Sequence, residues 1–292
     1  MTTHRTALTS AHVTAILFGL TGIFGALIHA NASVITFGRA AFAMIALFVF
    51  ALVQRRPIFR ELSAFKLGFF ILSGLLLAAH WITFFIAIKI GGVAVATLGF
   101  ASFPAFIAVL DVVIFRDRIH LSESILLILI SLGLILVTPS FGLGNQGTVG
   151  LLWGLGSGLS FALLAIANRR AAKGVDAVQV AFWQNATVAL VMVPFSAFSL
   201  VELGAFDWLN LALLGIFCTG LSQYLFVKSL EGLNARSAGM IISLEPIYAI
   251  ACAWWLFNEA PSYRMLAGAT IIVLAIVFSP QGHSGQNKTV TQ

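Results

Sequence analysis

Glu245, Arg39 and His80 are ionisable side chains set inside long apolar runs, where a bare charge needs a reason to exist. His80 stands beside Trp81 and one helical turn before Phe84. Ser222, Gln223 and Tyr224 form a second polar run, and Trp183, Gln184 and Asn185 a third. Groups of this kind can hydrogen-bond or charge-pair a small solute, and a histidine can carry a proton near neutral pH. They do not suit the commoner covalent chemistries. No HExxH, GxSxG or paired-histidine pattern marks a metal or nucleophile site, and no Walker motif marks nucleotide hydrolysis. Cys218 and Cys252 stand alone in apolar runs and read as small hydrophobes. No metal and no cofactor are therefore expected.

Each of these residues also has a plainer reading. A charge at the centre of a bilayer costs about 2.5–3.5 kcal/mol on insertion scales. Glu245 lies about 15 Å into its apolar run at the rise of an α-helix, deep enough to bind a substrate ammonium or a proton. Equally, it could cap backbone groups freed by Pro246 or pair with Arg39. Arg39 lies about 9 Å from the opposite face. It could hold a substrate carboxylate, although a snorkelling or helix-capping guanidinium is the simpler reading. His80 could be a packing residue satisfied by a neighbour. Phe18 and Phe161 occupy similar points of two different runs and could form aromatic walls, in a chain where most phenylalanines face lipid or other helices.

The elements that must position these residues follow from composition. Of 292 residues, 60% are hydrophobic and 9% charged, against about 25% charged in a soluble domain. The solvent is lipid, and the class is an all-α integral membrane protein. A span needs about 20 apolar residues. Ten such runs occur, at 10–28, 33–53, 66–88, 93–115, 121–138, 148–169, 177–199, 206–230, 235–257 and 262–279. The net charge of +6 reads as topology rather than as nucleic-acid binding. With the N-terminus in the cytoplasm, thirteen Lys and Arg fall on the inner side, and only Lys89 and Arg264 on the outer. Both termini are expected on the cytoplasmic side of the cell's inner (plasma) membrane.

The ten runs divide into two sets of five. Sliding the first set by 142 positions lays Phe84, Ala96, Pro104 and Phe115 on Phe226, Ala238, Pro246 and Phe257, and Asp117 on Glu259. An odd number of spans per copy forces the copies into opposite orientations, a recurring plan of secondary transporters. The expected organisation is two five-helix repeats of inverted topology, residues 1–142 and 143–280, followed by a disordered tail, 281–292. Pro104 and Pro246 would bend their helices around a cavity, with Gly99 and Gly239 as accompanying hinge points. The small-residue run Gly150, Gly154, Gly158 and Ala162 predicts close internal helix packing.

The stretch 84–117 and its partner 226–259, ending Leu256-Phe257-Asn258-Glu259-Ala260-Pro261, resemble the EamA-type repeat of the drug/metabolite transporter superfamily. Glu245-Pro246 and Arg39 fit the same pattern. Phe18-Gly19, where many relatives have Trp-Gly, and Asp117, where Glu is more usual, depart from it. Within the superfamily the chain is most similar to the YddG-type amino-acid exporters. The resemblance implies a ten-helix carrier that exports small metabolites, with amino acids, aromatic or otherwise apolar ones included, as the leading substrates. The substrate cavity would be drawn from His80, Trp81, Phe84, Phe18, Phe161, Trp183, Gln184, Ser222, Gln223, Tyr224, Ser243 and Glu245. The expected partners are a small-molecule substrate and the lipid bilayer, with no nucleic acid and with a monomer as the plausible state. A multidrug or other metabolite exporter is the competing reading, ahead of a membrane-embedded enzyme or a channel.

Overall fold

The computed structural model describes residues 2–60, 62–115, 121–137, 142, 144–171, 175–229, 232–233, 238, 241–242 and 244–278. Among these every regular element is helical. Helix α1 (Thr2–Leu27) leads through a short turn into α2 (Ala32–Val53), where the Asn31 side chain accepts from the Val34 N–H. That bond satisfies one of the donors a helix start leaves open. Ser63 does the same for α3 (Ala64–Phe100) by accepting from the Lys66 N–H.

Helix α3 is interrupted at Gly92, where φ 82 and ψ 168 take the backbone into a region open to glycine. Contacts with α6 (Gln146–Ala171) trace what happens there. His80 meets Ser157 and Gly91 meets Gly150; past the break, Gly99 meets Gly154 and Ser102 meets Gly158. The chain runs along α6 one way and returns the other. Residues 64–91 and 93–100 are thus antiparallel, with the turn in the gap expected between the runs at 66–88 and 93–115. The glycine stripe of α6 faces this hairpin, as close internal packing requires. A Cβ at Gly150 would lie 2.6 Å from the Gly91 Cα.

The chain continues through α4 (Phe103–Phe115), α5 (Leu121–Val137) and α6 to α7 (Ala177–Ser196), whose start is capped by Asp176. A 3-10 turn, Ala197–Glu202, follows. The run at 206–230 takes three conformations: α8 (Ala205–Gly215), wider π-helical turns over Ile216–Leu221, and α9 (Ser222–Ser229). The last two helices are α10 (Glu245–Phe257) and α11 (Tyr263–Phe278).

Among the described residues, six helical stretches are long and apolar enough to cross a membrane, namely His4–Leu27, Ala32–Val53, Ala64–Phe100, Gln146–Asn168, Ala177–Glu202 and Ala205–Phe226. Phe103–Ile114, Ser124–Val137 and Tyr263–Phe278 are shorter apolar helices. Large apolar side chains such as Val113, Leu190, Phe195 and Phe278 stand exposed, which suits a lipid solvent. A central core gathers α1, α2, α3, α7 and α8 around Phe84, Phe85, Ile88, Leu211 and Leu214. A second core joins α5 to α11, where Gly133 and Gly268 bring the two backbones together.

The two prolines sit in breaks of the same construction. Before Pro104, the Ser102 N–H donates to Gly99 O, and the Ala105 and Phe106 N–H groups donate to Ser102 O. Before Pro246, Leu244 donates to Ile241 O, and Ile247 and Tyr248 donate to Leu244 O. Every partner is displaced by the same 142 positions. Each proline therefore lies in the first turn of a new helix, where its missing N–H costs nothing. The expectation of a proline deep inside one continuous helix is corrected to a helix that stops and restarts just before it. Gly239, Ser243, Asp117 and the tail 281–292 lie outside the described residues.

Candidate functional site

Arg39, on α2, is only 6% exposed. Its Nε donates to Thr219 Oγ1 at 2.7 Å, in the π-helical turns, and its guanidinium carbon lies 4.0 Å from the centre of the Trp81 ring. Thr219 uses its own hydroxyl proton on Leu214 O, five residues back, which leaves an oxygen lone pair aimed at Arg39. The wider turns thus do local work, because an ordinary helical turn would not aim that hydroxyl the same way. Phe85 adds a second aromatic face at 5.9 Å. The snorkelling reading of Arg39 is overturned, since the side chain points into the bundle.

His80 lies on α3, one residue before Trp81. Ser157 on α6 donates its hydroxyl proton to His80 O at 3.0 Å, and the same oxygen lies 2.7 Å from His80 Nδ1. A hydroxyl has one proton to give, so Nδ1 carries the ring proton and Nε2 is left as an acceptor. Around the imidazole stand Phe84, Phe100 and Phe161, at ring-centre distances of 6.2, 4.9 and 5.1 Å. Phe103 closes the group, 5.2 Å from Phe100 and 5.1 Å from Phe161.

Glu245 opens α10 and is half-buried, with no hydrogen bond or ion pair among the described residues. Gly19 of α1 lies against this first turn; a Cβ there would come within 2.9 Å of the Tyr248 Cβ. Arg39 acts electrostatically on both Glu245 and His80, so the three ionisable groups share one neighbourhood. Among the described residues the ion pairs are His29 with Asp207 and Arg56 with Asp176, and neither involves Arg39.

His80, Phe84 and Phe161 pack together, Trp81 stands next along α3 against Arg39, and Glu245 is linked to Arg39 by charge alone. The other expected cavity residues lie outside this ring cluster. Trp183 donates from Nε1 to Ile58 O at 2.9 Å and stacks on Phe70, so it fastens the turn between α2 and α3. Gln184 Nε2 donates to Asn168 Oδ1 at 2.9 Å, tying α7 to α6. Ser222 spends its hydroxyl on Cys218 O and Thr219 O. Tyr224 is 40% exposed and faces Phe50 and Lys228. Phe18 is half-buried and joins no ring of the cluster. Gln223 keeps a buried Oε1 with no partner among the described residues. Gly99 is a point of close approach to Gly154 within a helix, and the break it was expected to make falls at residues 101–102.

Arg39, for which a substrate carboxylate was one of two readings, completes the cluster with Ser157, Thr219, Phe100 and Phe103, which were not expected in it. Ser157 had a usable signal, since it interrupts the small-residue stripe of α6 with a hydroxyl. At one end of the bundle two ties join the helix ends. Lys89 Nζ donates to Ile28 O at 2.6 Å and His29 N–H donates to Asp207 Oδ1 at 2.8 Å, while the Glu259 carboxylate lies against the Gly92 turn. A cavity of about 370 Å³ lined by His29, Asn31, Lys89, Ser199 and Glu202 opens at this end, outside the ties.

The profile of the EamA-like transporter family matches the chain twice, over residues 5–138 and 148–279. The chain belongs to that family. This EamA-like transporter is 26% identical over 208 residues to the S-adenosylmethionine uptake transporter of Rickettsia bellii, covering 71% of this chain and 70% of that one. It is 24% identical over 268 residues to an uncharacterized transporter of Archaeoglobus fulgidus, covering 91% and 93%. A solved crystal structure superposes with a TM-score of 0.65 at 18% identity, over 94% of this chain and 96% of the other, which supports the fold. Family and relatives make the protein a multi-pass membrane transporter rather than an enzyme.

Proposed function

We propose that the protein is a secondary carrier for small metabolites built on an amino-acid group, working by alternating access between two five-helix halves of opposite orientation. One observation carries this reading. Arg39 and His80, on the first half, are each tied to a hydroxyl of the second half, Thr219 and Ser157, inside a shell of aromatic rings. Polar bonds across the seam between two halves can break and re-form as one half rocks on the other. The double family match and the equal proline breaks support a repeat, and the thirteen-to-two charge asymmetry supports ten spans with both termini in the cytoplasm.

The YddG-type resemblance favours export of amino acids. The Rickettsia relative bears the name of an uptake transporter, and its S-adenosylmethionine substrate is an amino acid carrying a purine. The flat faces of His80, Phe84, Phe100, Phe103 and Phe161 would suit either an aromatic amino acid or that purine. Flux is the test, measured in both directions with purified protein in liposomes loaded with an amino-acid panel and with S-adenosylmethionine. Counter-flow exchange of at least one is expected. Flux no greater than in protein-free liposomes for the whole panel rejects the reading, and protection of cells against lipophilic cations instead would favour a multidrug exporter.

A further inference from the structure

We infer that Arg39 and Glu245 are the two charge poles of the transport site, taking the carboxylate and the cationic group of a single solute that carries both. This rests on the carrier reading above and assigns its substrate chemistry. A buried guanidinium in a membrane protein must be compensated. Trp81 offsets part of the cost through its ring face, and Thr219 orients the side chain through Nε, but neither brings a negative charge. No described carboxylate forms an ion pair with it. Glu245 is the acid that acts on Arg39 electrostatically, yet it stands apart, at the restart of a broken helix and without a described partner.

Opposite charges that share one interior without touching form a field into which a dipolar solute fits. An α-amino acid presents its carboxylate and ammonium on neighbouring atoms, so it can face both poles at once while its side chain lies along the rings. The fork of Arg39 is held by Nε, which leaves the terminal nitrogens as the edge that can meet a carboxylate. A lipophilic cation would satisfy Glu245 and leave Arg39 buried and unanswered, and a simple anion would do the reverse.

The test uses three probes that share one ring: L-phenylalanine with both charges, phenethylamine with the cation alone, and 3-phenylpropionate with the carboxylate alone. Binding to the full-length protein in detergent is measured by calorimetry. Wild type is expected to prefer L-phenylalanine at least tenfold over each of the others. Arg39→Gln should abolish its preference over phenethylamine and Glu245→Gln its preference over 3-phenylpropionate. Should Arg39→Gln not fold, Arg39→Lys keeps the charge without the fork and should retain the preference for the carboxylate at several-fold weaker affinity. Wild type binding the three alike, or none of them, overturns the assignment. So do variants in which both preferences fall together, and so does an Arg39→Lys protein with no preference left. Counter-flow of some other solute by a protein that fails this test would leave the carrier standing without the poles. Discrimination intact in a protein that transports nothing would do the opposite.

Discussion

Two clusters in this molecule look alike in sequence, a tryptophan with polar neighbours inside an apolar helix, and they are built for different ends. Around Trp183 the N–H donors have backbone acceptors: its indole and the Gln179 amide both donate to Ile58 O, Gln179 also reaches Arg60 O, and Asn185 Nδ2 donates to Ala181 O, while Asn185 Oδ1 stays without a described partner. The rings of Phe59, Phe70 and Phe182 close over it, and the result is a turn pinned to α7. Around Trp81 the tally stays open. Arg39 has one hydroxyl and a ring face, and Glu245 has no described partner. The difference teaches that composition does not separate a strut from a site. What separates them is whether the N–H donors are already satisfied.

Changing the two indoles is the strongest way to break this contrast. Trp81→Phe weakens the face that holds the guanidinium and is expected to lower counter-flow at least tenfold with little loss of folded protein. Trp183→Phe removes one hydrogen bond, worth about 1 kcal/mol, and should lower the melting temperature while leaving the transport KM within about twofold of wild type. Equal effects of both changes on flux would erase the distinction.

A second pair tests the bonds between helices. Ser157→Ala leaves the His80 Nδ1–H buried without its acceptor, which costs about 1–3 kcal/mol, and should also depress flux because it frees the ring at the seam. Gln184→Ala cuts the tie to Asn168 for about 1 kcal/mol and should spare flux. Melting in detergent and counter-flow on the same preparations read both effects. Flux loss in Gln184→Ala matching that in Ser157→Ala would put α7 back into the site.

Much of the fold was legible because lipid imposes it. The turn at Gly92 fell in the gap between two apolar runs, and the stripe Gly150, Gly154 and Gly158 announced a close approach. Pro104 and Pro246 marked both breaks, though the restart of the helix before each proline depends on bonding that residue types do not spell out. The site was half legible. Helical rise sets how deep Arg39 and Trp183 lie, but not which way they face. In helices apolar on every side, periodicity has no polar face to reveal. Arg39 was therefore read as snorkelling and Trp183 as lining the cavity. The π-helical turns that aim Thr219 at Arg39 had no sequence mark at all.

The smallest expected effect lies at Glu259, an acid at the edge of the bundle, set against Glu245, an acid inside it. Glu259 sits in the connection between α10 and α11, half-buried against the Gly92 turn. Partial burial lifts its carboxyl above the ordinary carboxylate value, and the nearby Val93 N–H only partly opposes this. The raised value means the folded protein holds the proton more tightly than the unfolded chain does. The stability from this group is therefore full below the ordinary carboxylate pKa and is lost as pH rises through the raised one. Glu259→Gln keeps an oxygen for the Val93 N–H and never ionises. Its melting temperature should match wild type in acid and exceed it slightly near neutrality, the gap opening as the carboxyl titrates. Wild type gaining on the variant as pH rises would mean that the charge-assisted bond outweighs burial. The turn would then be held by an ionised carboxylate, and a satisfied charge would prove cheap here even at the edge of the membrane.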